Sequence, residues 1–157
     1  MRAGSGFDVH AFAPDRPLII GGVTIRDRDG LAGHSDADVL CHAIGDALLG
    51  AAALGDLGSM FPADDEWRDA SGAQLLEAIA THLVGSGWRV GNIDSTVIAQ
   101  APRLSDHVPA MVRNISAALA VDADVVSVKA TTTDGLGFTG RGEGIAALAT
   151  VLIQPLV

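Results

Sequence analysis

A chain of 157 residues can bury one substantial core and is short for two. Its net charge of −9, with Lys129 as the single lysine, excludes a nucleic-acid surface, because neutralising phosphates takes clustered Lys and Arg. Apolar residues make up 48% against 18% charged, a balance that predicts association with further subunits.

In chain order, residues 2–12 read as a strand. Alternate side chains of an extended strand share a face, so Asp8 and His10 aim at one point while Val9 turns the other way, into the core. The segment PLIIGGVTIRD reads as a hairpin turning at Gly21 and Gly22. A helix is predicted over residues 35–54, with Ser35 as N-cap and Asp38 at the third helical position, a capping-box spacing met with Asp. Asp38, His42 and Asp46 recur every four residues as a polar stripe opposite an apolar face of Leu40, Ala43, Ile44, Ala47 and Leu48. Asp46, one turn from His42, is placed to bond the imidazole nitrogen that faces away from a metal. The single cysteine, Cys41, excludes an internal disulfide, fits a reducing compartment and reads as a small buried hydrophobe.

GDLGSMFPADDEW reads as a loop, followed by a helix over 71–84 that stops at Gly85 and Gly87. Residues 88–100 form a long strand ended by Ala101 and Pro102, a third helix covers 105–119, and VVSVKATTT is a strand. In the closing segment GIAALATVLIQ, the alternation of Ile145, Ala147, Ala149, Val151 and Ile153 favours a strand, although its alanine content permits a helix. These elements predict one α+β domain, a ferredoxin-like two-layer sandwich with a mostly antiparallel sheet, helices on one face and the other face open to partner subunits. No run reaches the ~20 apolar residues of a membrane span. The first motif begins at Gly4, so no leader is expected and the location is expected to be cytoplasmic.

Asp8 and His10, joined by His42 if the helix packs over the strand, make an Asp/His/His set. Three protein ligands with one open position is how catalytic zinc is held. The same residues also read as a hydrogen-bonded histidine at a strand end and a solvated helix face. Gly135, Gly137 and Gly140 have GxGxxG spacing, but no second βα unit follows before Val157, so a dinucleotide fold is excluded. What remains is a Gly and Thr loop that approaches an anion, or a plain turn between strands. Asp134, beside three threonines, suits a Mg²⁺ that shares substrate phosphates.

Taken together, GSGFDVHAF, GHSDADVLCHAIGDALLGAAALGDLGSMFP, STVIAQAPRL and VKATTTDGLGFTGRGEGIA closely resemble the 2-C-methyl-D-erythritol 2,4-cyclodiphosphate synthase family, in order and over nearly the whole chain. The resemblance implies a homotrimer with active sites between subunits, converting 4-diphosphocytidyl-2-C-methyl-D-erythritol 2-phosphate to the cyclic diphosphate plus CMP. It makes Asp8, His10 and His42 the Zn²⁺ ligands, and His34 and Thr132 the pair that stabilises the phosphoryl groups. Asp8, His10, His34 and Ser35 would also contact the substrate, and Asp56, Leu57, Gly58 and the loop of Phe61, Pro62, Ala63, Asp64 and Asp65 would meet its methylerythritol end. Ala99, Gln100, Ala101, Pro102, Arg103, Leu104 and Ser105 would form the cytidine and diphosphate side with Thr131, Thr132, Thr133, Asp134, Phe138 and Arg141. In the family, Phe7, Arg141 and Glu143 also line a cavity on the trimer axis that takes an isoprenoid diphosphate. One departure matters: the family carries Glu where this chain has Asp134, the expected Mg²⁺ or Mn²⁺ ligand. The shorter side chain must draw its loop inward or bind through water. Two other readings compete: a zinc phosphohydrolase, and a non-catalytic trimer that binds isoprenoid diphosphates.

Overall fold

The computed structural model describes residues 1–63 and 66–156; the expected contacts of Asp64 and Asp65 lie outside them. The chain runs β1 (Arg2–Ala13), β2 (Leu18–Ile20), β3 (Val23–Arg26), β4 (Gly30–Leu31), α1 (Val39–Ala52), α2 (Leu57–Met60), α3 (Gly72–Gly85), β5 (Trp88–Ile98), α4 (Val108–Leu119), β6 (Val126–Thr131), α5 (Gly137–Gly140) and β7 (Gly144–Pro155). Five strands form one sheet in the order β4-β1-β7-β5-β6, and β2 pairs with β3 in a separate hairpin. Every neighbouring pair in the large sheet is antiparallel except β5 with β6. The closing segment is therefore a strand, and it sits at the centre of the sheet.

The connectivity corrects the ferredoxin-like expectation while keeping its two layers. That fold repeats a split βαβ unit. Here β7 separates β1 from β5, making one split unit, but α4 joins β5 to its direct neighbour β6, so the second unit is unsplit.

The helices cover one face of the sheet. Ile145, Ala147, Ala149, Val151 and Ile153 of β7 are all buried against them, with Ile93 and Val97 of β5. Helix α1 is the centre of the core: eleven of its residues are buried, including Leu40, Ile44 and Leu48. Each such side chain contributes about 1.5–3 kcal/mol on leaving water.

On the part of β1 that faces α1 the inward positions are small or polar, namely Gly4, Gly6, Asp8 and His10. A Cβ on Gly6 would lie 1.9 Å from Ala43 O, and one on Gly4 would lie 2.1 Å from Ala47 O. Backbone thus packs on backbone, and α1 lies close enough for His42 to reach the strand. Val9 corrects an expectation: it is 38% exposed, on the open face with Phe7 and Leu148, because the helical layer lies on the side of Asp8 and His10.

The start of α1 also differs from the sequence reading. Asp38, not Ser35, is the N-cap, with its carboxylate accepting from Cys41 N at 3.0 Å. The same carboxylate accepts from Gly21 N at 2.9 Å and Gly22 N at 2.7 Å, in a hairpin turn where both glycines have positive φ. Asp38 is fully buried, so the polar stripe is not a solvated face. The two turn amides need a buried acceptor, and meeting them takes Asp38 out of the helix. Ser71, where the helix over 71–84 was expected to start, is instead the N-cap of α3, in a reciprocal capping box with Gln74.

Candidate metal centre and substrate site

Strand β1 and helix α1 bring the three predicted ligands to one point. Asp8 Oδ2 lies 2.8 Å from His10 Nε2 and 3.1 Å from His42 Nδ1, and the two imidazole nitrogens are 3.1 Å apart. Ligand atoms about 2.0–2.1 Å from a tetrahedral Zn²⁺ are about 3.3 Å from one another, so this triangle is close to the size the ion requires. Among the described residues, Asp8, His10 and His42 form the one group of His, Cys, Asp or Glu able to share a cation.

Hydrogen bonds behind the ligands orient both rings. His10 Nδ1 donates to Ala32 O at 2.6 Å, which turns Nε2 toward Asp8. Ser35 Oγ lies 3.2 Å from His42 Nε2, which turns Nδ1 inward. Such bonds fix the tautomer and aim of a metal-binding imidazole. The expected partner of that nitrogen, Asp46, is elsewhere, accepting from Leu57 N at 2.8 Å. With α1 beginning at Val39, the loop before it folds back over the first turn and Ser35 occupies the place assigned to Asp46.

Electrostatics favour positive charge at the centre. Burial pushes the Asp8 carboxyl up, but hydrogen bonds from His10 and His42 outweigh it and hold the group well below the usual carboxylate range. Burial pushes His10 down, yet its bond to Asp8 prevails and raises it above the ordinary histidine value. A carboxylate facing two imidazoles attracts a proton, and a divalent cation answers the same field more strongly.

The triad opens on a cavity of about 260 Å³ lined by His34, Ser35, Asp46, Leu57, Gly58, Phe61, Ala63, Trp67 and Leu75 as well as the triad itself. Asp56 caps α2, its carboxylate accepting from Ser59 N at 2.7 Å and so fixing Leu57 and Gly58. Trp67 and Leu75 were not singled out as site residues. Trp67 packs edge-on against Phe61 with ring centres 4.6 Å apart. In a chain with four Phe and two Trp, two aromatics within one short polar loop were a usable signal.

The other predicted residues gather at a second place. Ala99 N donates to Thr131 O and Gly135 N to Gln100 Oε1, each at 3.0 Å, joining the segment after β5 to the loop after β6. The Ala101–Pro102 peptide is cis, and Arg103 Nε donates to Ser105 Oγ at 2.9 Å. Leu104 is buried in the core, and its carbonyl accepts from His107 N at 2.9 Å. Asp134 has φ 52°, and its carboxylate accepts from Thr132 Oγ1 at 3.1 Å. Thr133 Oγ1 lies 2.9 Å from Thr139 Oγ1, Phe138 is part-exposed, and Arg141 Nε donates to Glu143 Oε1 at 2.7 Å.

Both groups lie at the same end of the sheet, since β1, β5 and β6 all run toward it. Laterally, β1 and β6 are three strand intervals apart, or about 14 Å.

The YgbB family model matches residues 1–154 of the sequence. The chain belongs to the YgbB family. Among similar members, the 2-C-methyl-D-erythritol 2,4-cyclodiphosphate synthase of Moorella thermoacetica is 56% identical over 154 residues, covering 98% of this chain and 94% of its own. The synthase of Syntrophomonas wolfei is 56% identical over 155 residues, covering 98% and 99%. Solved structures agree in fold. The Plasmodium falciparum IspF complex with CDP gives a TM-score of 0.86 at 32% identity, over 98% of this chain and 96% of that one. The bifunctional IspDF of Campylobacter jejuni gives 0.94 at 44% identity, with 98% of this chain matching 42% of the longer protein.

Proposed function

We infer that this protein is a 2-C-methyl-D-erythritol 2,4-cyclodiphosphate synthase, acting in non-mevalonate isoprenoid precursor biosynthesis. It converts 4-diphosphocytidyl-2-C-methyl-D-erythritol 2-phosphate to 2-C-methyl-D-erythritol 2,4-cyclodiphosphate and CMP. The observation that carries the reading is the convergence of Asp8, His10 and His42 beside His34 at the mouth of the 260 Å³ cavity. Family membership and the CDP complexes of related structures support it.

The reaction is internal to one bound molecule. An oxygen of the 2-phosphate forms a bond to the β-phosphorus, the bond from that phosphorus to the α-phosphate oxygen breaks, and CMP leaves with the electron pair. No covalent nucleophile is required of the protein. Holding the attacking oxygen in line with the phosphorus is worth up to about 7–11 kcal/mol of barrier. Leu57, Phe61, Trp67 and Leu75 give the methylerythritol carbons an apolar wall and exclude water, while His34 donates toward phosphate oxygens. Residues 99–105 and 131–134 receive the cytidine and diphosphate. Asp8, His10 and His42 would hold Zn²⁺, which would supply Lewis-acid polarisation of a phosphate oxygen. Asp134 would hold Mg²⁺ or Mn²⁺, which would offset charge on the diphosphate.

The cavity half and the cytidine half belong to different subunits of a homotrimer in this reading. The lateral span between β1 and β6 within a chain supports that division, as do Phe7, Val9 and Leu148 on the open sheet face. The trimer axis, near Phe7, Arg141 and Glu143, is the place for an isoprenoid diphosphate. The whole chain acts as one synthase domain in the cytoplasm. Among the described residues no helix is long and apolar enough to cross a membrane.

Incubation with substrate in H₂¹⁸O tests the reading by ³¹P NMR and mass spectrometry. A synthase yields CMP and a cyclic diphosphate without ¹⁸O. A linear, ¹⁸O-labelled product would show a phosphohydrolase instead, and binding without CMP release would show a non-catalytic trimer.

A further inference from the structure

Residues 32–38 touch the cation cluster and its cavity at three points, yet they form no helix or strand. Ala32 O receives His10 Nδ1, Ser35 Oγ meets His42 Nε2, and His34 lines the cavity. A segment outside any backbone ladder keeps its shape only if its carbonyl and amide groups are met from elsewhere. Two of the carbonyls are met by a single guanidinium. Arg16 Nη1 donates to Gly33 O at 2.7 Å, and Arg16 Nη2 donates to Ser35 O.

Arg16 is itself held. Its side chain is half-buried, and its carbonyl accepts from Gly30 N at 2.9 Å. Gly30 is a close crossing point, where a Cβ would fall 2.0 Å from Pro17 O. The turn between β1 and β2 is thus fastened to β4, and β4 pairs with the end of β1 just beyond His10. Strand, turn and loop close a ring around the two imidazoles, and the Arg16 fork is the link that joins turn to loop.

We propose that Arg16 is a positioning residue of the cation site: by bridging the carbonyls of Gly33 and Ser35 it fixes the loop that aims His10 and His42, while touching neither cation nor substrate. This rests on the reading of Asp8, His10 and His42 as cation ligands. The role depends on shape as well as charge. A guanidinium presents several N–H groups in a rigid plane and can serve two carbonyls at set positions, whereas an ammonium is a point donor on a flexible stem.

Co²⁺ titration of the metal-free protein, followed by its visible ligand-field bands with thermal unfolding alongside, tests this on wild type, Arg16→Met, Arg16→Lys and His42→Ala. Outer partners of ligating histidines are worth about tenfold or more in metal affinity. Arg16→Met is expected to bind Co²⁺ about tenfold more weakly with shifted bands, and Arg16→Lys to stay nearer to Arg16→Met than to wild type. His42→Ala is expected to lose the bands. If Arg16→Met does not fold, Arg16→Lys carries the comparison alone. Wild-type affinity and bands in Arg16→Met, or full recovery in Arg16→Lys, with the bands lost in His42→Ala, would overturn the role of Arg16 and leave the cation site standing. Bands retained in His42→Ala would overturn both.

Discussion

The carboxylate of Asp38 is fully buried and accepts from the backbone of Gly21, Gly22 and Cys41, so one side chain caps α1 and closes the β2–β3 turn. Asp38→Ala strands three amide donors, each costing about 1–3 kcal/mol when left unmet. Urea unfolding is expected to show a loss of about 3 kcal/mol or more, and an unchanged midpoint would refute the latch. His42→Ala acts differently: the ring lies at the mouth of the cavity and contributes to chemistry more than to packing. Turnover is expected to fall about 10³-fold or more, as for loss of a Lewis acid worth several kcal/mol, with zinc content by elemental analysis falling in parallel and the fold retained. Sequence showed the triad because strand alternation and helical spacing are local rules. It hid Asp38, Ser35 and Arg16, whose partners are backbone groups 16 to 19 residues away or a ring seven positions on.

Strand β1 and helix α1 meet through Gly4 and Gly6, and their separation sets whether three ligand atoms can share one ion. A methyl group at Gly6 has no room, since it would fall 1.9 Å from Ala43 O. Gly6→Ala is expected to cost about 1–3 kcal/mol, the usual range for overpacking, and to weaken zinc binding because α1 must back away from β1. Gly50, exposed near the end of the same helix with nothing within 4 Å of a Cβ, is the control. Gly50→Ala is expected to stabilise by about 0.5–1 kcal/mol with zinc affinity unchanged; equal effects at the two glycines would refute the spacing argument. Element types were legible in sequence: the hairpin at Gly21 and Gly22, the helix over 71–84 and the alternation of β7 all follow local patterns. The ends of α1 and the side to which Val9 points were not, because each depends on which layer packs against the element.

Across the whole molecule, the two groups of site residues lie at one end of the sheet, and the strands β1 and β6 that carry Asp8, His10 and Thr131 are about 14 Å apart sideways. If neighbouring subunits complete each other, chains crippled in different halves should rescue one another. Mixing His42→Ala with Thr132→Ala, after dissociation and reassembly, is expected to restore a substantial fraction of wild-type turnover through sites that draw each intact half from a different chain. No recovery in confirmed mixed oligomers would place both halves in one subunit. Sequence could not show this division, since it follows from strand order, and β7 enters between β1 and β5 from the far end of the chain. The predictions on metal binding and turnover all depend on Asp8, His10 and His42 being able to share one cation. Anomalous diffraction across the zinc absorption edge, on crystals grown with Zn²⁺, is predicted to show a peak bonded to Asp8 Oδ2, His10 Nε2 and His42 Nδ1; a map with no peak among those three atoms would contradict it.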